Sequence, residues 1–320
     1  MPTVSIIMNV RNGAATLRAA LESVFAQTYR DWELIVWDDC SSDNSAAIVA
    51  EFADSRVRYF LSPHDTSLGE ARDLAMRQAQ GEWLAFLDQD DIWLPHKLEL
   101  QVALADSPQV GLVYGRTVAF SPNERQRDYD AFHEFAPLPE GNIFDELLNK
   151  GCFIAMSSAL IQRSAVEEIG SIPAEIQITP DYFLYLAISR RYSARAVQEI
   201  VCRYRIHPGN MTRIYRGESL EETLSLVEDW GKQLPSEATA ARLAGISTAL
   251  ALEEMRHWKT LTRGMKRMLK TGSVWWLVRA PFMRLWRIVG RVLRRPRWKN
   301  YSAQNSSLDR TAIGSTPRRP

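Results

Sequence analysis

Cysteine is scarce in this chain, and its few positions form no pattern. Cys40, Cys152 and Cys202 are odd in number and far apart, and no two of them have the spacing of a metal-binding motif. This usage excludes a disulfide-stapled scaffold and a cysteine zinc site. It is typical of reduced thiols in a cytosolic protein.

Long apolar runs are also missing. None approaches the ~20 residues that a membrane-spanning helix requires. The N-terminus has no charged region followed by a long apolar one. We therefore expect neither a transmembrane helix nor a secretory signal, and a location on the cytoplasmic side of the membrane.

Net charge is small, at +1, which argues against a nucleic acid partner. The average hides an uneven distribution. Residues 259–320 hold 16 of the 39 basic residues and a single acid, Asp309, which leaves 23 basic and 37 acidic residues before them. The chain is thus an acidic body with a basic tail, and the tail requires its own explanation.

Short apolar runs alternate with amphipathic segments through the first 100 residues. Strands are predicted over 4–8, 32–37, 56–61 and 83–87, and helices over 14–25, 46–52, 68–80 and 96–104. Such alternation with short connections predicts an α/β fold with a mostly parallel sheet. Further strands are expected at 110–114, 155–161 and 196–204.

Three carboxylates follow the apolar run 83–87, where a buried strand would end. They are Asp88, Asp90 and Asp91. Ligands gather outside the carboxyl ends of strands in open α/β sheets, and a hard cation such as Mg²⁺ or Mn²⁺ would relieve the repulsion among these acids. The alternative is a solvated turn, because aspartate is common in turns.

Six segments of the N-terminal part carry motifs that follow one another in a definite order and at suitable spacings. They are residues 4–11, 27–29, 33–43, 69–72, 81–83 and 86–91. Together they resemble the family 2 glycosyltransferases of GT-A fold. The resemblance is close over about the first 115 residues, weaker through 152–212, and absent from the C-terminal extension. It implies a Rossmann-like, mixed and mostly parallel sheet flanked by helices, here with a C-terminal helical extension.

The resemblance implies a nucleotide-sugar site. Asp39 would contact the base, where an acceptor-only carboxylate suits the ring N–H of uracil; a helix-capping turn is the alternative. Arg72 resembles the arginine of the family's diphosphate site, with a helix-surface arginine as the alternative. Asn9 and Arg11 would flank the same nucleotide, with a surface charge as the alternative for Arg11. Asp88 would face the ribose and the cation.

The resemblance also implies a metal ligand and a base. Asp90 is the expected direct ligand of Mg²⁺ or Mn²⁺, with Asp91 and His207 as further candidates; a structural role is the alternative for His207. Similar enzymes invert the anomeric centre, which requires a base, and Asp181 occupies the matching position. Pro180 stands where the family usually has an acid. The alternative for Asp181 is a helix-starting acid favoured by the macrodipole.

The chain is expected to divide into five segments. These are a nucleotide-sugar-binding half at 1–115, an acceptor-binding half at 116–217, a helical extension at 218–271, a basic amphipathic helix at 272–300 and a disordered tail at 301–320. Residues 121–142 are polar and irregular, which favours a mobile loop over the site.

The 272–300 helix would carry aromatic and aliphatic residues on one side and arginines on the other. The arginines are Arg284, Arg287, Arg291, Arg294 and Arg295. This pattern favours peripheral binding to an anionic membrane surface on the inner face of the cell membrane. Docking on the protein's own acidic body is the alternative.

The function expected from these observations is a metal-dependent inverting glycosyltransferase of cell-surface polysaccharide synthesis. The donor would be a nucleotide-diphosphate sugar, with UDP favoured, and the acceptor a glycan or lipid-linked saccharide. One alternative is a nucleotidyltransferase, but residues 11–15 are a poor match to the glycine-rich, lysine-bearing loop that a triphosphate needs. The other is a non-catalytic nucleotide-sugar-binding scaffold, which a remote Asp181 would favour.

Overall fold

The computed structural model describes residues 2–121, 129–130, 137–232, 236–255 and 261–270. Within these ranges the N-terminal elements are β1 Val4–Val10, α1 Leu17–Phe25, β2 Trp32–Asp38, α2 Ser45–Ala50, β3 Val57–Leu61, α3 Leu68–Met76, β4 Trp83–Phe86, β5 Ile92–Trp93, α4 Lys97–Leu104, β6 Val110–Phe120 and β7 Tyr129–Asp130. The later elements are α5 Phe144–Lys150, a 3-10 turn Met156–Ser158, β8 Leu160–Gln162, α6 Arg163–Ile169, α7 Pro180–Ser189, β9 Ser193–Arg205, α8 Met211–Ile214, α9 Arg216–Gly231, α10 Glu237–Glu254 and α11 Leu261–Lys270.

One mixed sheet organises these elements. Its strand order is β3-β2-β1-β4-β8-β6-β9-β5, and β7 pairs with β6. The strands β1 to β4 are parallel to one another, whereas β8 runs antiparallel to both β4 and β6. The expected mixed α/β sheet flanked by helices is confirmed.

The two faces of the sheet are covered by different helices. Side chains alternate along β1, so Ile6 and Met8 pack in a core with Leu17 and Leu21 of α1. Ile7 points the other way, into a core shared with buried residues of α3, α7, α9 and α10. Burial on both faces explains why β1, β2 and β4 are mostly apolar and show no regular alternation of apolar and polar residues.

The helical extension is part of this second core. Leu224 and Val227 of α9 and Leu250 of α10 are buried in it. α9 ends at Gly231, and Ser236 caps α10 by accepting a hydrogen bond from Thr239 N at 3.0 Å. The extension therefore shares the core on this side of the sheet and packs against α5.

Two predicted strands differ from the structure. The strand expected over 155–161 is wrong in its first half, because Met156–Ser158 forms a 3-10 turn and β8 begins only at Leu160. The strand expected to end at residue 114 continues to Phe120. Gly115 permits this, since a Cβ at this position would lie 2.6 Å from a methyl group of Val201 on the paired strand β9.

Residues 1–267 form one compact unit and residues 268–320 a second. The predicted amphipathic helix at 272–300 and the predicted tail at 301–320 lie outside the described residues, as does most of the predicted loop at 121–142. No helix within the described ranges is long and apolar enough to cross a membrane. The five predicted segment boundaries stay predictions.

Candidate active site

The carboxyl ends of β1, β2 and β4 lie side by side, because β1 pairs with both neighbours in parallel. Arg11 follows β1, and Asp39 follows β2. The guanidinium of Arg11 donates from Nη1 to Asp39 Oδ2 at 2.7 Å and from Nη2 to Asp65 Oδ2 at 3.1 Å. Both carboxylates raise the pKa of Arg11. The arginine thus bridges two loops at this edge of the sheet.

The two aspartates that end β2 have different surroundings. Asp38 accepts from Ser41 N and from the Tyr59 hydroxyl, both at 2.7 Å, so its carboxylate holds the turn together. Asp39 Oδ1 accepts from the Thr66 backbone N at 2.9 Å and from the Thr66 hydroxyl at 2.7 Å. Of the pair, only Asp39 connects to Arg11, which places it on the side of the predicted nucleotide site.

Gln89 joins the acidic loop, residues 88–91, to the loop after β1 by hydrogen bonds. Its Oε1 accepts from Arg11 N at 2.9 Å, and its Nε2 donates to Arg11 O at 3.1 Å. The approach is tight: a Cβ at Gly13 would lie 2.3 Å from Gln89 Oε1. Asn9, at the end of β1, has a buried Nδ2 without a hydrogen-bond partner among the described residues. A buried donor of this kind is suited to a ligand acceptor.

Arg72 of α3 is 4% exposed, and its Nη2 donates to Asp88 Oδ1 at 3.0 Å. Burial makes the helix-surface interpretation of this arginine wrong. A buried guanidinium with one described carboxylate partner retains donors for a further anion.

Asp90 lies at the centre of the acidic loop. Its Oδ2 is 2.7 Å from His207 Nε2, and its backbone carbonyl accepts from Arg205 Nε at 2.7 Å. Burial, followed by the charge of Asp88, raises the pKa of Asp90, while His207 opposes the shift. The pair of carboxylates therefore repel each other, as the sequence suggested.

Asp91 is buried and faces inward. Its Oδ2 accepts from the Ser157 hydroxyl at 2.6 Å, and its Oδ1 accepts from Arg205 N at 2.9 Å. Burial and the charges of Asp90 and Asp88 raise its pKa well above the ordinary value. The Ser157 hydroxyl also accepts from Asp88 N at 3.1 Å. This geometry favours an anchoring role for Asp91, and its role as a metal ligand stays a prediction.

Asp181 lies in the first turn of α7, after Pro180 at the start of the helix. Proline suits this position because the first helical N–H has no intrahelical partner, which accounts locally for the departure from the family pattern. Burial raises the pKa of Asp181; Arg72 lowers it and Asp88 raises it. Asp181 is thus within electrostatic reach of Arg72 and Asp88.

The donor set suits a divalent cation that a substrate would help to bind. Within the described ranges, no group of three or more His, Cys, Asp or Glu side chains is arranged as a complete metal site. Asp88 and Asp90 nevertheless offer carboxylates that interact electrostatically with each other, and His207 Nε2 lies 2.7 Å from Asp90 Oδ2. Mg²⁺ is commonly held by one or two carboxylates together with substrate phosphates. These residues fit such an ion.

Three residues that hold the site together were not predicted from the sequence. Gln89 and Thr66 hold site residues through bonds across loops, and Ser157 lies within the segment interpreted as a strand. Ser157 carried one available signal, since a serine within a buried apolar run requires a hydrogen-bond partner.

Comparison with known sequences identifies the family. The family model described as "Glycosyl transferase family 2" matches residues 5–170, just over half of the chain. The chain belongs to this family. Two Escherichia coli members named as UDP-Glc:alpha-D-GlcNAc-diphosphoundecaprenol beta-1,3-glucosyltransferases are similar to it. WfgD is 32% identical, covering 65% of this chain and 79% of its own. WfaP is 30% identical, covering 66% and 80%.

Solved structures of similar fold agree with this assignment. S. aureus TarS 1-349 in complex with UDP-GlcNAc superposes with a TM-score of 0.59 at 19% identity, covering 80% of this chain and 73% of that one. The mannosyltransferase PcManGT from Pyrobaculum calidifontis, in complex with GDP-Man and Mn²⁺, gives a TM-score of 0.57 at 17% identity, covering 86% and 81%. The predicted GT-A fold, family membership and glycosyltransferase activity are confirmed; the individual site roles stay predictions.

Proposed function

We propose that this enzyme transfers a sugar from a UDP-linked donor to a hydroxyl of a lipid-linked saccharide, with inversion at the anomeric carbon. The observation that carries the proposal is the convergence of Asp39 with Arg11, Arg72 with Asp88, and Asp90 with His207 at one sheet edge, with Asp181 within electrostatic reach. A non-catalytic scaffold would not need the partly desolvated carboxylate of Asp181 near the Arg72–Asp88 pair.

The donor assignment rests on Asp39 and on the relatives. An ionised carboxylate only accepts hydrogen bonds, and the ring N–H of uracil is a donor. Arg11 and Thr66 fix the orientation of Asp39, and the buried Nδ2 of Asn9 provides a donor nearby. WfgD and WfaP are named as UDP-Glc enzymes acting on a diphosphoundecaprenol-linked sugar, which supports UDP and a lipid-linked acceptor.

The leaving group is a nucleoside diphosphate, and its departure requires neutralisation. Arg72 would donate to its phosphate oxygens while Asp88 orients the guanidinium. Asp88, Asp90 and His207 would hold a divalent ion, Mg²⁺ or Mn²⁺, which when bound neutralises charge without proton transfer.

Asp181 acts as the base of the reaction. Its carboxylate accepts the proton of the acceptor hydroxyl as that oxygen bonds to the anomeric carbon. The bond from this carbon to the diphosphate oxygen breaks at the same time, and the electron pair leaves with the diphosphate. Attack from the face opposite the leaving group inverts the centre. The raised pKa of Asp181 suits a group that must accept a proton.

A panel of nucleotide sugars tests the donor assignment. We expect UDP-linked sugars to be hydrolysed, and UDP to bind more tightly than GDP, in the presence of Mg²⁺ or Mn²⁺. Replacing Asp39 by alanine should weaken UDP binding by about 1.5–3 kcal/mol, because a hydrogen bond to a charged group is lost. Calorimetric titration with UDP and GDP measures both. A preference for GDP in the unchanged enzyme would contradict the donor assignment.

The enzyme is proposed to bind peripherally to the inner face of the cell membrane through residues 272–300, where the lipid-linked acceptor would be found. The sequence pattern of arginines opposite aromatic residues supports this. The alternative, docking on the protein's own acidic body, predicts no lipid binding.

Removing the residues after Gly272 is expected to abolish pelleting with phosphatidylglycerol vesicles. The basic amphipathic segment would supply both the apolar insertion and the attraction to anionic lipid. A chain ending at Tyr301 is the matched control, because it loses only the polar tail and should pellet normally. Equal pelleting of both truncated chains would rule out this segment as the attachment site.

A further inference from the structure

Glu222 of α9 places its carboxylate in the backbone loop that precedes α7. Its Oε1 accepts from Gln177 N at 3.0 Å. Its Oε2 accepts from Ile178 N at 2.9 Å, from Thr179 N at 2.8 Å and from the Thr179 hydroxyl at 2.9 Å. Three successive backbone N–H groups and one hydroxyl therefore converge on a single side chain from an element more than 40 residues later in the chain.

This contact fixes the residues that lead into the start of α7. Thr179 occupies the N-cap position of α7, but its side chain makes no capping bond within the helix. Asp181 Oδ1 accepts from Tyr182 N at 2.9 Å. The carboxylate of Glu222 is negative and lies against the N-terminal end of α7, where the helix macrodipole favours an anion. The start of the helix that carries Asp181 is thus fixed from outside.

The same loop is held on another side by α3. A Cβ at Gly69 would lie 2.4 Å from the backbone carbonyl of Ile176, so glycine permits close packing between α3 and the loop. α3 also carries Arg72. Residues 176–179 are therefore held by Gly69 on α3 and by Glu222 on α9, and this arrangement connects the arginine and the proposed base.

We propose that Glu222 is a positioning residue for the transfer reaction: it sets the position of Asp181 relative to Arg72 and the acceptor hydroxyl. The proposal rests on the proposed role of Asp181. It gives the helical extension a direct part in the reaction, although the match to the family model ends at residue 170. Glu222 contacts no reacting atom and acts only through the loop at 177–179.

Glu222→Gln tests the proposal, with Glu221→Gln as the matched control. Glutamine keeps the size but turns an NH₂ group toward backbone N–H donors, so some of the hydrogen bonds from residues 177–179 are lost. We expect kcat for transfer to fall, by up to about 10²-fold for Glu222→Ala, because small displacements of a reacting group have effects of this size. The Kd for UDP should be unchanged. Glu221 is exposed on the same helix, and its replacement should change neither quantity.

A second variant protects the test against loss of folding. Thr179→Val removes the hydroxyl that donates to Glu222 and leaves all three backbone N–H bonds to it, so a smaller decrease in kcat with unchanged UDP binding is expected. If Glu222→Gln lowers the unfolding temperature and weakens UDP binding in parallel with kcat, its role is only structural and the proposal is overturned.

Turnover of two variants distinguishes a failure of the positioning role of Glu222 from a failure of the proposed function. Unchanged kcat in Glu222→Gln, with Asp181→Asn inactive, would overturn the positioning role alone. Normal turnover in Asp181→Asn would instead remove the proposed base, and with it the reason for positioning it.

Discussion

Asp181→Asn is expected to lower kcat by about 10²–10⁴-fold, the range that a general base contributes, while the Kd for UDP stays unchanged. Asparagine has nearly the same shape but cannot take a proton from the acceptor hydroxyl. The nucleotide contacts expected at Asp39 and Arg11 are left intact. Steady-state kinetics with a lipid-linked saccharide acceptor, together with calorimetric UDP titration, measure the two quantities.

Asp145 provides a matched control for the alternative that Asp181 merely stabilises a helix start. It is an exposed aspartate in the first turn of α5, as Asp181 is in the first turn of α7. Loss of either charge costs the macrodipole interaction, typically about 0.3–1 kcal/mol. Asp145→Asn should therefore leave kcat unchanged. Identical behaviour of the two variants would contradict the base assignment.

The raised pKa of Asp181 gives this prediction a pH dependence. A base works only when deprotonated, so kcat/KM should rise with pH through a pKa above that of an ordinary aspartate. The stability effect has the opposite sign. Because folding raises this pKa, the contribution of Asp181 to stability is present at low pH and is lost as pH rises through the folded-state pKa. At neutral pH the removal of a desolvated charge should offset the lost macrodipole interaction, so Asp181→Asn is expected to change the thermal unfolding temperature little.

The sheet could be predicted because its information is local. Runs such as those of β2 and β4 are mostly apolar without regular alternation, and each is followed by polar turn residues and a helical pattern. The position of the site followed from the same pattern, since Asp39 and Asp88 end strands that parallel pairing brings to one edge. The order of the strands and the positions of their ends were sufficient to predict both the sheet and the place of the site.

The roles of neighbouring acids could not be predicted in this way. Asp38 and Asp39 are adjacent, yet one closes a turn through Ser41 and Tyr59 while the other meets Arg11. Their difference depends on which direction each side chain takes at the end of a strand, and on partners from other loops. Glu222 was hidden for a related reason: its partners are backbone N–H groups, which every non-proline residue carries.

Asp90 and Asp91 are also adjacent acids with different partners. Replacing each by alanine should therefore impair a different property of the enzyme. Asp90→Ala is expected to eliminate turnover and the dependence of UDP binding on Mg²⁺ or Mn²⁺, because the carboxylate beside His207 is the proposed ligand. Thermal unfolding should change little, because burial and the charge of Asp88 already disfavour the ionised carboxylate of Asp90 in the folded protein. UDP titration with and without the ion, together with thermal unfolding, measures both effects.

Asp91→Ala should instead lower the free energy of unfolding. The Ser157 hydroxyl and Arg205 N would lose their buried acceptors, and each buried donor left unsatisfied costs about 1–3 kcal/mol. Denaturant unfolding measures the loss. Enough folded enzyme should remain at low temperature to test whether the ion still strengthens UDP binding. If the ion still strengthens UDP binding in Asp91→Ala but not in Asp90→Ala, Asp90 is the metal ligand and Asp91 the structural anchor. The reverse pattern would make Asp91 the ligand and Asp90 the partner that holds His207.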